Sequence, residues 1–135
     1  MPAGYSGTAL GKKLGVKTGQ RTWRYQMPAG VAREIEESGC VPVLLKAPEP
    51  GLEMAHVFVI RGSELSDHLA RLRKLLAPDG TIWVSWPKKS SKVETDVTED
   101  VVRDAALPLG LVDIKVCTID AVWSGLKLVI RRPER

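Results

Sequence analysis

Apolar residues in this chain change their period along its length, and the order of those changes limits the architectures open to it. Residues 41–46 and 56–60 are continuous apolar runs rich in β-branched side chains, a pattern suited to strands buried on both faces of a parallel sheet. Behind Ser63, Leu65, Leu69, Leu72 and Leu76 recur at helical spacing, with Arg71, Arg73 and Lys74 towards the opposite side. This predicts an amphipathic helix with a serine N-cap. The helix stops at Ala77-Pro78-Asp79-Gly80, and residues 81–86 read as a strand that Pro87 ends. In the last quarter Val112, Ile114 and Val116, then Leu126, Leu128 and Ile130, occupy every second position. Period-two alternation across the short link 120–124 marks an antiparallel hairpin. Strands alternating with helices and closed by a hairpin predict an α/β, Rossmann-like three-layer domain with a mostly parallel sheet. Ligands are expected beyond the carboxyl ends of its strands.

The rest of the chain fits this frame. Its 135 residues suffice for one domain at roughly 100–200 residues per domain. We expect residues 1–20 to be a flexible, Gly-rich basic leader and residues 21–135 to be the domain. Residues 21–26 read as a strand, and residues 31–38 as a short helix stopped by Gly39. Asp96 stands three residues before Glu99, the spacing of a capping box, and predicts a helix over residues 97–107.

Charge and cysteine content bound the function classes. Twenty Lys and Arg against 16 Asp and Glu give +4, and Lys12, Lys13, Lys17, Arg21, Arg24 and Arg33 all precede the first acid, Glu34. These charges are interspersed with Gly, Leu and Val, so a solvated face is favoured over a nucleic-acid arm. Cys40 and Cys117 are expected to be reduced thiols in a cytoplasmic protein, and no apolar run approaches the length of a membrane span. The glycines of the leader satisfy neither phosphate-loop pattern. Cys40, His56, His68 and Cys117 match no zinc spacing, so no metal is expected. His68, beside Asp67 on the amphipathic helix, is expected to be solvated.

The stretch 75–84, with the run at 56–60 and the closing hairpin, resembles the second half of a class I S-adenosylmethionine-dependent methyltransferase. Residues 10–17 with Gly19-Gln20, Trp86-Pro87-Lys88, residues 95–101, Gly110-Leu111 and Trp123-Ser124-Gly125-Leu126-Lys127-Leu128-Val129 resemble a bacterial family catalogued as domain of unknown function 3052. That resemblance covers most of the chain apart from residues 22–50 and implies no activity. The methyltransferase resemblance implies a turn with several glycines after the first strand, but this chain offers Tyr25-Gln26-Met27-Pro28-Ala29-Gly30. Only Gly30 remains, and Pro28 lacks a backbone donor. Glu49 is the one nearby carboxylate for ribose hydroxyls. Residues 47–55 are too few for a helical crossover, so a helix of the ordinary fold is expected to be missing. No cofactor is therefore expected; if S-adenosylmethionine binds, Gly30 and Glu49 are its candidate contacts.

The best surface site joins Trp86, Pro87, Lys88 and Lys89, at the end of one strand, to Thr98 at a helix start and to Trp123 and Ser124. The lysines suit an anion, and an indole face suits a ring. Three functions follow. The leading one is a non-catalytic methyltransferase-like domain that binds a small ligand or a partner protein. The others are a minimal methyltransferase and a nucleic-acid module using the basic first third. The last strand is a candidate edge for a homodimer.

Overall fold

The computed structural model describes residues 8–135. A short helix α1 (Leu10–Leu14) precedes β1 (Arg21–Tyr25), α2 (Ala29–Glu37), β2 (Val43–Leu44) and β3 (Leu52–Phe58). Then come α3 (Gly62–Leu75), β4 (Leu76–Pro87), α4 (Glu99–Ala106), β5 (Leu111–Thr118) and β6 (Trp123–Ile130). The sheet runs β2-β1-β3-β4-β6-β5. Strands β2, β1, β3 and β4 are parallel, while β6 is antiparallel to both β4 and β5. This is the expected α/β architecture with its closing hairpin.

Alternation along β3 explains the three layers. Ala55 and Val57 face a core built with Leu65, Leu69 and Leu72 of α3 and Val102 and Ala106 of α4. Met54 and Phe58 face the opposite core, with Leu10 and Leu14 of α1 and Val31 and Ile35 of α2. The three α3 leucines are fully buried, each stabilising the fold on the order of 1.5–3 kcal/mol by removal from water.

Several expectations are corrected. Residues 8–20 are part of the fold, not a flexible leader. Leu14 is fully buried, and its carbonyl accepts a 2.8 Å hydrogen bond from Trp83 Nε1 across the sheet face. Gly11 lets α1 cross α2: a Cβ there would lie 2.8 Å from Ser38 Cβ, and the Gly11 amide donates to Ser38 Oγ at 2.8 Å. Residues 1–7, the start of the expected leader, lie outside the described residues.

The apolar run at 41–46 forms only the two-residue β2, and Val41, Val43 and Leu44 are 68, 49 and 57% exposed. It is an edge strand, and residues 45–51 return to β3 without a helix, so the crossover helix is missing as expected. Ser63 is the second residue of α3 and not its N-cap, and Asp96 does not cap α4. Arg61 occupies the N-cap position of α3, and Asp96 instead accepts from the Gly62 amide at 2.7 Å. Thr98 caps α4 by accepting from the Val101 amide. The last strand is no edge either, because β6 lies between β4 and β5. His68 is half-buried, 4.1 Å from the Tyr25 ring and 5.8 Å from Trp23 between centroids.

Candidate functional site

The carboxyl edge of the sheet is built by β4, β6 and the segment that follows β4. Register places Trp86 opposite Ser124 and Pro87 opposite Trp123, and the Lys88 amide continues the pairing by donating to the Val122 carbonyl at 2.7 Å. A 3-10 turn, Lys89–Ser91, then redirects the chain. Two bonds tie the returning segment to the end of β3. Thr95 Oγ1 donates to the Ile60 carbonyl at 2.6 Å, and the Asp96 amide donates to the same oxygen at 3.3 Å. Val97, 1% exposed, locks the segment into the α3/α4 core before Thr98 starts α4.

These anchors leave a cavity of about 820 Å³ whose lining includes Trp86, Pro87, Lys88, Lys89, Thr98 and Ser124. Sequence separations of up to 38 residues are thus closed by two strand pairings and one loop. The cavity carries both charge signs, since Glu94, Glu99 and Asp100 also face it. Glu99 and Asp100 pair with Arg103, and among the described residues no ion pair joins Lys88 or Lys89 to these acids. The lysines are therefore able to meet an anionic ligand group while the acids accept from its donors. Neither histidine nor cysteine lines this cavity.

Trp123 does not join the lining. Its indole lies on the other face of the sheet, packed edge-on against Phe58 at 5.1 Å in the α1/α2 core.

Gly30 and Glu49 are not brought together. Gly30 is in the first turn of α2, beyond the carboxyl end of β1, where an added Cβ would meet nothing within 4 Å. Glu49 pairs with Arg21, the first residue of β1, at 2.7 Å, so the length of β1 separates the two. The reason is topological: the last β2 pairing is Leu44 with Thr22, whereas β1 continues to Tyr25. Glu49 therefore stays at the amino end of β1, beside Arg21. The turn after β1 keeps a glycine-like backbone, because Gln26 has φ 52°, but it carries a side chain where a glycine would leave room.

The buried pair His56 and Ser85 carries no signal in sequence, since its 29-residue separation matches no motif. Register alone makes them neighbours, with His56 Nε2 2.8 Å from Ser85 Oγ. Burial, with Arg24 adding repulsion, pushes the His56 imidazole down to about 3. It stays neutral and stacks on Phe58 at 4.4 Å, a structural role inside the sheet. Among the described residues no group of three His, Cys, Asp or Glu is placed to hold a metal, and no helix is long and apolar enough to cross a membrane.

The basic residues of the first third disperse. Arg21 turns to Glu49, and Arg24 lines a separate pocket beside α2. Lys13 donates to the Thr118 carbonyl.

A parallel sheet with helices on both faces and a terminal antiparallel hairpin defines a methyltransferase-like α/β fold, and comparison with solved structures agrees. A SAM-dependent methyltransferase from Aquifex aeolicus superposes with a TM-score of 0.64 at 15% identity, over 88% of this chain and 87% of that one. The ribosomal protein L11 methylase from Lactobacillus delbrueckii subsp. bulgaricus gives 0.57 at 12% identity, over 90% of this chain and 75% of its own. Aeropyrum pernix fibrillarin, with natively bound S-adenosyl-L-methionine, gives 0.53 at 15% identity, over 90% and 73%. At such identities the likeness is one of fold. Residues 58–132, more than half of the chain, match the family described as "Protein of unknown function (DUF3052)", and the chain belongs to that family. The match begins at Phe58, so the sequence pieces at 10–17 and 19–20 lie outside it. No curated protein matches the chain.

Proposed function

We propose that this chain is a methyltransferase-like domain that binds a small ligand in the cavity between β4, β6 and α4, and that it does not itself transfer a methyl group. The observation that carries this reading is a contrast along the sheet. Three separated stretches of chain, Trp86 to Lys89, Thr98 and Ser124, share one cavity, while Gly30 and Glu49 are divided by the length of β1. The ligand this lining suits has an anionic group for Lys88 and Lys89, donors for the acidic rim and an apolar body against Trp86 and Pro87. A protein partner presenting the same groups is the other occupant of this cleft. The setting we propose is a bacterial cytoplasm.

A minimal methyltransferase is the second reading, supported by the likeness to fibrillarin, whose structure holds S-adenosyl-L-methionine. The short β2 and the side chain of Gln26 stand against it. A nucleic-acid role has less support, since Arg21 and Arg24 are turned to separate places.

Calorimetric titration with S-adenosylmethionine and S-adenosylhomocysteine, run beside a methyl-release assay, tests the proposal. We expect no turnover and no binding in the micromolar range, which corresponds to about −8 kcal/mol. A fragment library followed by protein NMR is expected to move the Trp86 and Ser124 resonances, and to lose that effect in Lys88→Ala. Turnover of S-adenosylmethionine would overturn the reading.

A further inference from the structure

We infer that the pocket between α2, β1 and the exposed edge strand β2 is a binding site for a free α-amino acid with an apolar side chain. The pocket encloses about 320 Å³. That is the low end of the range of about 300–1,000 Å³ for ligand sites and ample for a single amino acid. Ile35, Val41, Pro42 and Leu44 form apolar walls, and the lining also holds two charged side chains of opposite sign, Arg24 and Glu36. Val41 and Leu44 are exposed because β2 is the two-residue edge strand of the sheet, with no further strand beyond it among the described residues.

The charges select the ligand class. Arg24 lies on β1 two residues beyond the last pairing with β2, and its guanidinium forms no hydrogen bond or ion pair among the described residues. A half-buried guanidinium without a partner is costly, and a carboxylate matches its fork of donors. Glu36 is an exposed residue near enough to act on Arg24 electrostatically. A bare carboxylate ligand would meet repulsion from Glu36, and a bare amine would leave Arg24 unmatched. A zwitterion with an aliphatic side chain satisfies both charges and the walls at once. This pocket is on the α1/α2 side of the sheet and the cavity beside α4 is on the other, so the two proposals stand or fall separately.

Cys40 also lines the pocket and supplies a readout, while Cys117, 8% exposed, serves as the internal control. The full chain is titrated calorimetrically with L-leucine, 4-methylpentanoate and 3-methylbutylamine, and alkylation of Cys40 by iodoacetamide is followed in parallel. Leucine is expected to bind and to slow Cys40 alkylation, with each single-charge analogue about tenfold weaker or worse. Arg24→Met and Glu36→Gln are each expected to weaken leucine by about tenfold. Glu36→Gln alters an exposed side chain and keeps the test valid if Arg24→Met fails to fold. Absence of leucine binding up to about 10 mM, equal binding of 4-methylpentanoate, or unchanged leucine binding by Glu36→Gln overturns the inference.

Discussion

His56 Nε2 and Ser85 Oγ lie 2.8 Å apart on neighbouring parallel strands, with their residues 2% and 0% exposed. The imidazole has an ordinary value of 6.5 and is pushed down to about 3, by burial first and Arg24 second. As the pH falls below 6.5 the unfolded chain takes up a proton that the folded chain refuses. Stability is therefore complete above that value and is lost progressively towards pH 3. This single group is expected to cost about 2 kcal/mol between pH 7 and 5. Urea unfolding of the native chain and of His56→Gln at both values checks it, since the variant should lack this increment of pH dependence.

Trp83 ties α1 to the sheet through the Leu14 carbonyl. Trp83→Phe leaves that buried carbonyl unpaired and a gap beside it, with an expected loss of about 2 kcal/mol or more. Proteolysis within residues 17–20 should accelerate, because α1 loses its hold on the α1/α2 core. An unchanged urea midpoint would show that α1 packs independently of this bond.

Gly125 sits where β6 passes the indole of Trp83. A Cβ there would lie 2.9 Å from Ile119 Cδ1 and 3.2 Å from Trp83 Cε3. Gly125→Ala is expected to destabilise by about 1–3 kcal/mol through overpacking. Adding Ile119→Val removes the closest atom and should recover part of that loss, an interaction that a double-mutant cycle measures.

Thr98 caps α4, and Asp96 holds the Gly62 amide at the start of α3. Thr98→Ala is expected to cost about 1 kcal/mol, and Asp96→Ala about 1.5 kcal/mol or more for a bond to a charged group. Urea midpoints with unchanged slopes would confirm both. Because Thr98 also lines the cavity beside α4, Thr98→Ser preserves the cap and separates that effect from any effect on ligand binding.

Local rules made much of this readable. The leucine spacing in residues 65–76 and the alternation after residue 111 depend only on which face each side chain takes, so α3 and the closing hairpin followed from them. The shortage of residues between β2 and β3 likewise exposed the missing crossover. The edge position of β2 was not legible, because an apolar run looks the same whether or not another element covers it. The cap of α4 misled for a related reason: Asp96 has the chemistry of a cap, but a neighbouring helix start claims it.

Covalent order and periodicity determined the class of fold, the order of its main strands and the edge on which Trp86 to Lys89 emerge, since side-chain period and chain length act within single elements. Tertiary structure alone decided that Ser124 and not Trp123 faces the cavity beside α4 and that Gly30 and Glu49 stand at opposite ends of β1. It also decided that Leu14 is core, that His56 meets Ser85, and that Arg24 and Glu36 share a pocket. Each depends on register or crossover path between distant segments, and a shift of one residue in either would send the side chain to the other face.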